Sequence, residues 1–219
     1  MIRILLVDDH AIVREGYRAL ITKQPYLQVV AEAENGAQAY QLFKQAQPDV
    51  VITDISIPGS SGLALISQIR QRQNDAKILV FSMHQNPGFA AQAFRSGALG
   101  YISKSSPPEE LLRAIREVHV GRTVLSNDIA HALAMEKVAG DSLALQTLTT
   151  KEFEILRLLV AGWNHDSIAQ VLNISPKTVG NSHYLIKSKL GVESDIALTR
   201  LAIKLDVLDL LELTGESKA

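Results

Sequence analysis

Cysteine is absent from all 219 residues, which removes three chemistries at once: a disulfide framework, a zinc–thiolate site and a cysteine nucleophile. The absence also suits a reducing compartment. No apolar run approaches the roughly 20 residues that span a bilayer. The opening stretch 1–7, MIRILLV, runs into Asp8 instead of a small-residue cleavage site, so no signal peptide is expected. An excess of one charge is missing too. Lys and Arg number 22 against 23 Asp and Glu, a net charge of −1. Bulk electrostatics therefore point to neither nucleic acid nor membrane, and any such partner must be read from local residues. What is present is ordinary: 47% apolar and 21% charged residues, a balance able to bury real cores. The expectation is a soluble, cytoplasmic protein with no membrane partner.

Two halves differ in rhythm. Residues 2–7, 28–33, 50–53, 77–82 and 99–102 are short β-branched or apolar runs, and the central ones are almost wholly apolar, as in parallel strands buried on both faces. Between them run 3.6-residue patterns such as Ala39, Leu42, Phe43, Ala46 and Leu111, Leu112, Ile115, Val118. Five strands, each followed by a helix, predict a flavodoxin-like, doubly wound α/β domain with a parallel sheet of order 2-1-3-4-5. After Gly121 no further strand is expected. Residues 127–138 read as a helix, and the stretch 139–142 (AGDS) breaks it. The predicted division is residues 1–122, a linker of 123–147 that includes this helix, and an all-α, four-helix domain of 148–219.

In that second domain the helix signals are explicit. Thr149 and Glu152 form a capping box, and Gly162 ends the first helix. Residues 165–172 form a second, and Asn173 and Ile174 turn the chain. Ser175 caps a third helix with Pro176 at its first position, stopped by Gly191. Ser194 and Asp195 open a fourth that carries Ile196, Leu198, Leu201, Ile203, Leu205 and Leu208.

Chemistry concentrates at three carboxylates. Asp8 and Asp9 follow the first strand and Asp54 ends the third. In a 2-1-3-4-5 sheet those strands are neighbours, and ligands of such sheets bind at the C-terminal strand ends. Crowded carboxylates repel and raise some pKa values unless a cation is present. A hard divalent ion with oxygen ligands, Mg²⁺ or Mn²⁺, resolves the conflict.

Through Leu5-Leu6-Val7-Asp8-Asp9-His10 and Asp54-Ile55-Ser56-Ile57-Pro58-Gly59, with Ser82, Tyr101 and Lys104, the first half resembles a two-component receiver domain over its whole length. The resemblance implies that Asp54 accepts a phosphoryl group from a sensor histidine kinase. It implies that Asp8, Asp9, Asp54 and the Ser56 main-chain carbonyl hold the metal. Lys104 would pair with phosphate oxygens, Ser82 would hydrogen-bond the phosphoryl group, and Tyr101 would swing inward as Ser82 moves. His10, where a helix begins, is read as a polar residue and not as the phosphoacceptor.

The second half resembles the LuxR-type helix-turn-helix of NarL/FixJ regulators from 148 to 192, through Leu148, Thr149, Glu152, Ile155, Leu156, Leu159, Gly162, Ile168, Ala169, Leu172 and the Ser175-Pro176-Lys177-Thr178-Val179 turn. Tyr184 and the stretch 191–198 resemble the GacA and RcsB branches. The implied partner is DNA, with the third helix in the major groove. Lys177, Thr178, Asn181, Tyr184 and Lys187 are its candidate contacts. Asn181 is a candidate base reader, because an amide can pair two atoms of adenine. Two positions depart from the family: Gly180 stands where lysine is frequent, and Ser182 where histidine is frequent. With few cations, modest monomer affinity and a homodimer on phosphorylation are expected.

The combined expectation is a transcription-regulating phosphoprotein with no output enzyme, its catalysis limited to forming and hydrolysing its own acyl phosphate. Other readings stay open at this level. One is a phosphorylation-independent adaptor or atypical regulator. Another is a phosphatase using Asp54 as nucleophile, although no second acid/base or substrate pocket is evident.

Overall fold

The computed structural model describes residues 1–59, 61–139, 144–205 and 207, and it divides into two compact units, 1–135 and 136–219. Six parallel strands build the first unit: β1 (Ile2–Val7), β2 (Leu27–Ala33), β3 (Val50–Thr53), β4 (Ile78–Ser82), β5 (Gly100–Ser103) and β6 (Val124–Leu125). Their order is β2-β1-β3-β4-β5-β6. Every residue of β3, β4 and β5 is buried, which is why these segments show no polar alternation. Helices α1 (Ala11–Thr22), α2 (Gly36–Ala46), α3 (Gly62–Arg72), α4 (Pro87–Ser96) and α5 (Pro108–His119) make the crossovers. On one face of the sheet Ile4, Leu6, Ile52, Leu79, Phe81 and Ile102 pack with Leu111, Ala114, Ile115 and Val118 of α5.

The sheet corrects one expectation. A sixth strand exists where none was anticipated. β6 pairs Gly100 with Val124 and Tyr101 with Leu125, and the Ser126 N–H donates to the Tyr101 carbonyl at 3.0 Å. Two residues are too few to show a period of two, so its signal is tertiary. Strand edges also shift by a residue: β2 starts at Leu27, β4 at Ile78, and β5 runs to Ser103.

Helix α6 (Asn127–Ala139) and a short 3₁₀ turn (Ala144–Thr147) follow. The break read at 139–142 and Leu208 fall largely outside the described residues. The second unit contains α7 (Thr150–Val160), α8 (His165–Val171), α9 (Pro176–Leu190) and α10 (Asp195–Lys204). Local chemistry places each terminus. The Thr149 side chain accepts from Glu152 N–H while the Glu152 carboxylate accepts from Thr149 N–H, completing the capping box. Ser175 caps α9 through Thr178 N–H, with Pro176 in the first turn. Gly191, at φ +66°, ends that helix in a left-handed conformation open to glycine. Phe153, Ile155, Leu156, Ile168, Val179, Ile186 and Leu198 form the small core.

Candidate functional site

The C-terminal edge of the sheet gathers the predicted acids. Asp8 leaves β1 and Asp54 leaves β3, strands paired in register from Ile4↔Val50 to Val7↔Thr53. Both carboxylates are buried, 3% and 4% exposed. Between them sits the ammonium of Lys104, carried by the loop after β5. Its Nζ lies 2.7 Å from Asp8 Oδ2 and 2.6 Å from Asp54 Oδ2. Burial alone would lower the Lys104 pKa, but the charge of Asp54 and hydrogen bonds to both aspartates outweigh it and hold the ammonium above its ordinary value. Lys104 itself is aimed by a main-chain bond, its N–H to the Ser82 carbonyl at 2.8 Å.

Asp54 also accepts from Ile55 N–H at 2.6 Å through Oδ1, and Ser56 N–H stands 3.4 Å from the same oxygen. The Oδ2 oxygen is the one that faces Lys104. Asp8, Asp9 and His10 bring ligand atoms within 4.8 Å of one another. Asp9 Oδ1 is shielded from solvent and lies 3.0 Å from His10 Nδ1, yet accepts no well-directed hydrogen bond among the described residues. Burial raises the Asp9 pKa, the neighbouring His10 partly offsets this, and Asp8 and Asp54 push it up further. A shielded carboxylate oxygen without a donor, next to a second carboxylate, suits a hard, oxygen-preferring cation. The donor set fits Mg²⁺ or Mn²⁺.

The remaining predicted residues fall around this centre. Ser82, the last residue of β4, is fully buried, and its Oγ accepts from His84 N–H at 3.5 Å. Tyr101, in β5, already lies inward and is fully buried; its hydroxyl donates to the His84 carbonyl at 2.9 Å.

Three residues escaped the sequence reading. His84 is 7% exposed, stacks on Phe89 at 4.0 Å between centroids, and reaches Ser56 Oγ with Nε2 at 2.9 Å. It therefore ties the loop after Asp54 to the loop that holds Tyr101. Arg14, on α1, donates to the Asp8 carbonyl at 2.6 Å and meets Glu32 and Glu34 at 3.5 and 3.3 Å. Gly62 opens α3 so close to the acidic loop that a Cβ there would lie 2.0 Å from the Asp54 carbonyl oxygen. Only glycine fits, and the Gly62 N–H bonds the Ile55 carbonyl at 2.9 Å. The sequence signal for it was Gly62 just after Pro58-Gly59 and the cap Ser61.

In the second unit, α9 buries Val179 and Ile186 and turns Lys177, Thr178, Asn181 and Tyr184 outward. Thr178 also serves the cap, its Oγ1 2.9 Å from Ser175 Oγ. Lys187 differs from the other candidates: its Nζ is 2.8 Å from Asp195 Oδ1. Lys189 is bound to Glu152 at 2.6 Å. A Cβ at Gly180 would make only ordinary van der Waals contact, with the His165 ring at 3.9 Å.

Comparison with known proteins covers both units. Residues 4–116 match the response regulator receiver domain, and residues 146–202 match the bacterial regulatory proteins of the luxR family. The response regulator UvrY of Escherichia coli K12 is 35% identical over 206 residues, covering 93% of this chain and 94% of UvrY. The oxygen regulatory protein NreC of Staphylococcus epidermidis is 36% identical over 216 residues, covering 94% and 99%. RcsB from Salmonella enterica serovar Typhimurium, solved bound to promoter rprA in the presence of the phosphomimetic BeF₃⁻, is 28% identical with a TM-score of 0.76, covering 91% of this chain and 96% of that one. Among the described residues no helix is long and apolar enough to cross a membrane. With a receiver matched in the first unit, a LuxR-type helix-turn-helix in the second and relatives aligned through both, the chain belongs to the NarL/FixJ-type response regulators, DNA-binding transcription regulators of two-component systems.

Proposed function

We propose that Asp54 is the phosphoacceptor and that its phosphorylation by a sensor histidine kinase controls DNA binding by the second unit. The observation that carries this reading is the Lys104 ammonium bridging Asp8 and Asp54 at 2.7 and 2.6 Å in a buried pocket. Asp54 Oδ2 forms the new O–P bond as the P–N bond of the kinase phosphohistidine breaks and the imidazole nitrogen takes up a proton from solvent. A carboxylate cannot approach a phosphoryl group unless both charges are offset. Asp8, Asp9, Asp54 and the Ser56 main-chain carbonyl would hold Mg²⁺ or Mn²⁺, and the bound ion would supply charge neutralisation beyond what Lys104 gives. Lys104 then pairs with the phosphoryl oxygens.

Ser82 hydrogen-bonds the phosphoryl group, and Tyr101 relays that change through its bond to the His84 carbonyl. A new group of charge near −2 is the bias on a two-state domain. The chain's own catalysis is confined to forming and hydrolysing the acyl phosphate. Lys177, Thr178, Asn181, Tyr184 and Lys187 contact DNA, Lys187 only after exchanging Asp195 for a backbone phosphate. Phosphorylation favours a homodimer, so that two weak half-site contacts act together. The protein works in the cytoplasm.

Intact mass after incubation with acetyl phosphate and Mg²⁺ tests the centre of this reading. Wild type gains one phosphoryl group and Asp54→Ala gains none. Equal gain by both would move the phosphoacceptor elsewhere. No gain by wild type would favour a phosphorylation-independent regulator.

A further inference from the structure

Helix α9 has an outer edge whose chemistry is unusually one-sided. Its 15 residues, PKTVGNSHYLIKSKL, include no arginine, aspartate or glutamate. At 100° per residue, Lys177, Asn181, Tyr184 and Ser188 form the outermost stripe, flanked by Thr178 and Leu185. All six are exposed, Tyr184 at 72% and Leu185 at 47%. Two large side chains with apolar surface thus face water side by side on one helix.

Three of the remaining polar side chains of the helix are engaged. Lys187 pairs with Asp195 and Lys189 with Glu152. His183, its side chain 14% exposed, lies 3.2 Å from His165 and 2.9 Å from Asp195. Lys177 is thus the only lysine of α9 without an ion pair among the described residues.

Base pairs differ in what reads them. Guanine is read by a cation at O6 and N7, and cytosine by an acidic acceptor at N4. Adenine is read by an amide at N6 and N7, and thymine by apolar contact with its methyl group. The outer edge of α9 holds no acid and one cation, at its first turn. It holds one amide, at its centre, with two apolar side chains beside it. We infer that α9 reads a half-site whose central pairs are A·T, with Asn181 on adenine and Leu185 and Tyr184 against thymine methyl groups. Any guanine is confined to the end that Lys177 reaches. The inference rests on the reading of α9 as the recognition helix and adds the sequence class it selects.

The test is selection from a randomised duplex pool by the full chain, phosphorylated with acetyl phosphate and Mg²⁺, at low salt. The expected motif has adenine at one fixed central position of each half-site, with thymine adjacent. Asn181→Ala flattens that column and weakens binding to the selected site about tenfold, within the discrimination carried by one good amide–adenine contact. Asn181→Arg replaces the adenine by guanine at the same column, which a merely structural role for Asn181 would not do. Circular dichroism confirms that both variants keep the wild-type fold. A wild-type motif with G·C at its central positions overturns the inference and leaves the DNA-binding reading standing. So does an unchanged motif for both variants. No enriched sequence for wild type overturns both together.

Discussion

At the edge of the sheet a lysine and two aspartates are withdrawn from water together, whereas the exposed stripe of helix α9 carries one cation, Lys177, without an ion pair among the described residues. The difference follows from what each surface must do. A buried charge costs several kcal/mol unless it is paired. Asp8, Asp54 and Lys104, all nearly inaccessible, therefore form a closed set that stays poised until one member changes charge. A surface that meets the phosphates and base edges of DNA has no such need, because its ligand brings the charge. On α9 most cations are instead spent inside the unit, Lys187 on Asp195 and Lys189 on Glu152. In the first unit charge is gathered in one buried set, and in the second it holds helices together, so that the exposed stripe of α9 is left with an amide and apolar surface.

The sharpest way to break that contrast is to remove the stored cation. Lys104→Ala leaves Asp8 and Asp54 facing each other without their counter-charge. In the absence of Mg²⁺ it costs about 3 kcal/mol or more, read from urea unfolding followed by circular dichroism. Added Mg²⁺ restores more stability to the variant than to wild type. Phosphoryl gain from acetyl phosphate slows by about 100-fold or more, the scale of losing one preorganised electrostatic partner. A rate near wild type would show that the ammonium is a structural counter-ion only.

The Glu152–Lys189 pair of the second unit permits the opposite comparison, charge used for stability alone. Burial would raise the Glu152 pKa, but Lys189 and the N–H and hydroxyl of Thr149 overcome it and hold the carboxyl below its ordinary value of 4.5. A carboxylate with a lowered folded pKa contributes stability that is fully present above the unfolded value and is lost as pH falls through the folded one. Trp163, the one tryptophan of the chain, lies between α7 and α8, so its fluorescence reports the unfolding of this unit. Its urea midpoint should fall as pH drops below 4.5 in wild type. Glu152→Gln starts lower at neutral pH and follows a flatter course through the same range. Phosphoryl gain from acetyl phosphate stays unchanged, because Glu152 and Asp54 lie in different units. Parallel pH courses for the two proteins would remove Glu152 from the stability of the helix-turn-helix.

The same contrast explains which residues could be read without coordinates. Asp8, Asp9, Asp54, Ser82 and Lys104 sit at strand ends, and a parallel sheet of known order brings strand ends to one edge. Their residue types then name the chemistry. Tyr101 was legible as a position in β5, but its inward orientation depends on the His84 carbonyl, which only the folded loop supplies. His84 itself looks like any loop histidine until Ser56 and Phe89 are placed beside it. Arg14 acts through the Asp8 main chain six residues away, beyond the span of any capping pattern. Strand β6 is too short to carry a period, so only its pairing with Gly100 and Tyr101 reveals it. In the second unit the caps were explicit in sequence because capping is local, three residues at most. The pairings of Lys187 and Lys189 were not, because their partners lie on other helices.

Two glycines show how finely the two regions differ in tolerance, and the smaller effect is the more informative. At Gly62 a Cβ would meet the Asp54 carbonyl at 2.0 Å, so any side chain must displace the loop that carries Asp54. At Gly180 a Cβ would meet nothing closer than the His165 ring at 3.9 Å, an ordinary van der Waals contact. Gly180 lies mid-helix, where glycine costs up to about 1 kcal/mol relative to alanine. Gly180→Ala should therefore raise the urea midpoint reported by Trp163 by an amount approaching that figure, partly by restricting the unfolded chain. If glycine serves only as a neutral gap beside the outward stripe, DNA affinity stays within about twofold of wild type, a change of under 0.5 kcal/mol. If affinity instead falls several-fold while stability rises, the flexibility or closeness of the helix at Gly180 is part of how α9 enters the groove. The recognition surface would then include a residue with no side chain, a feature the closed charge set of the first unit does not share.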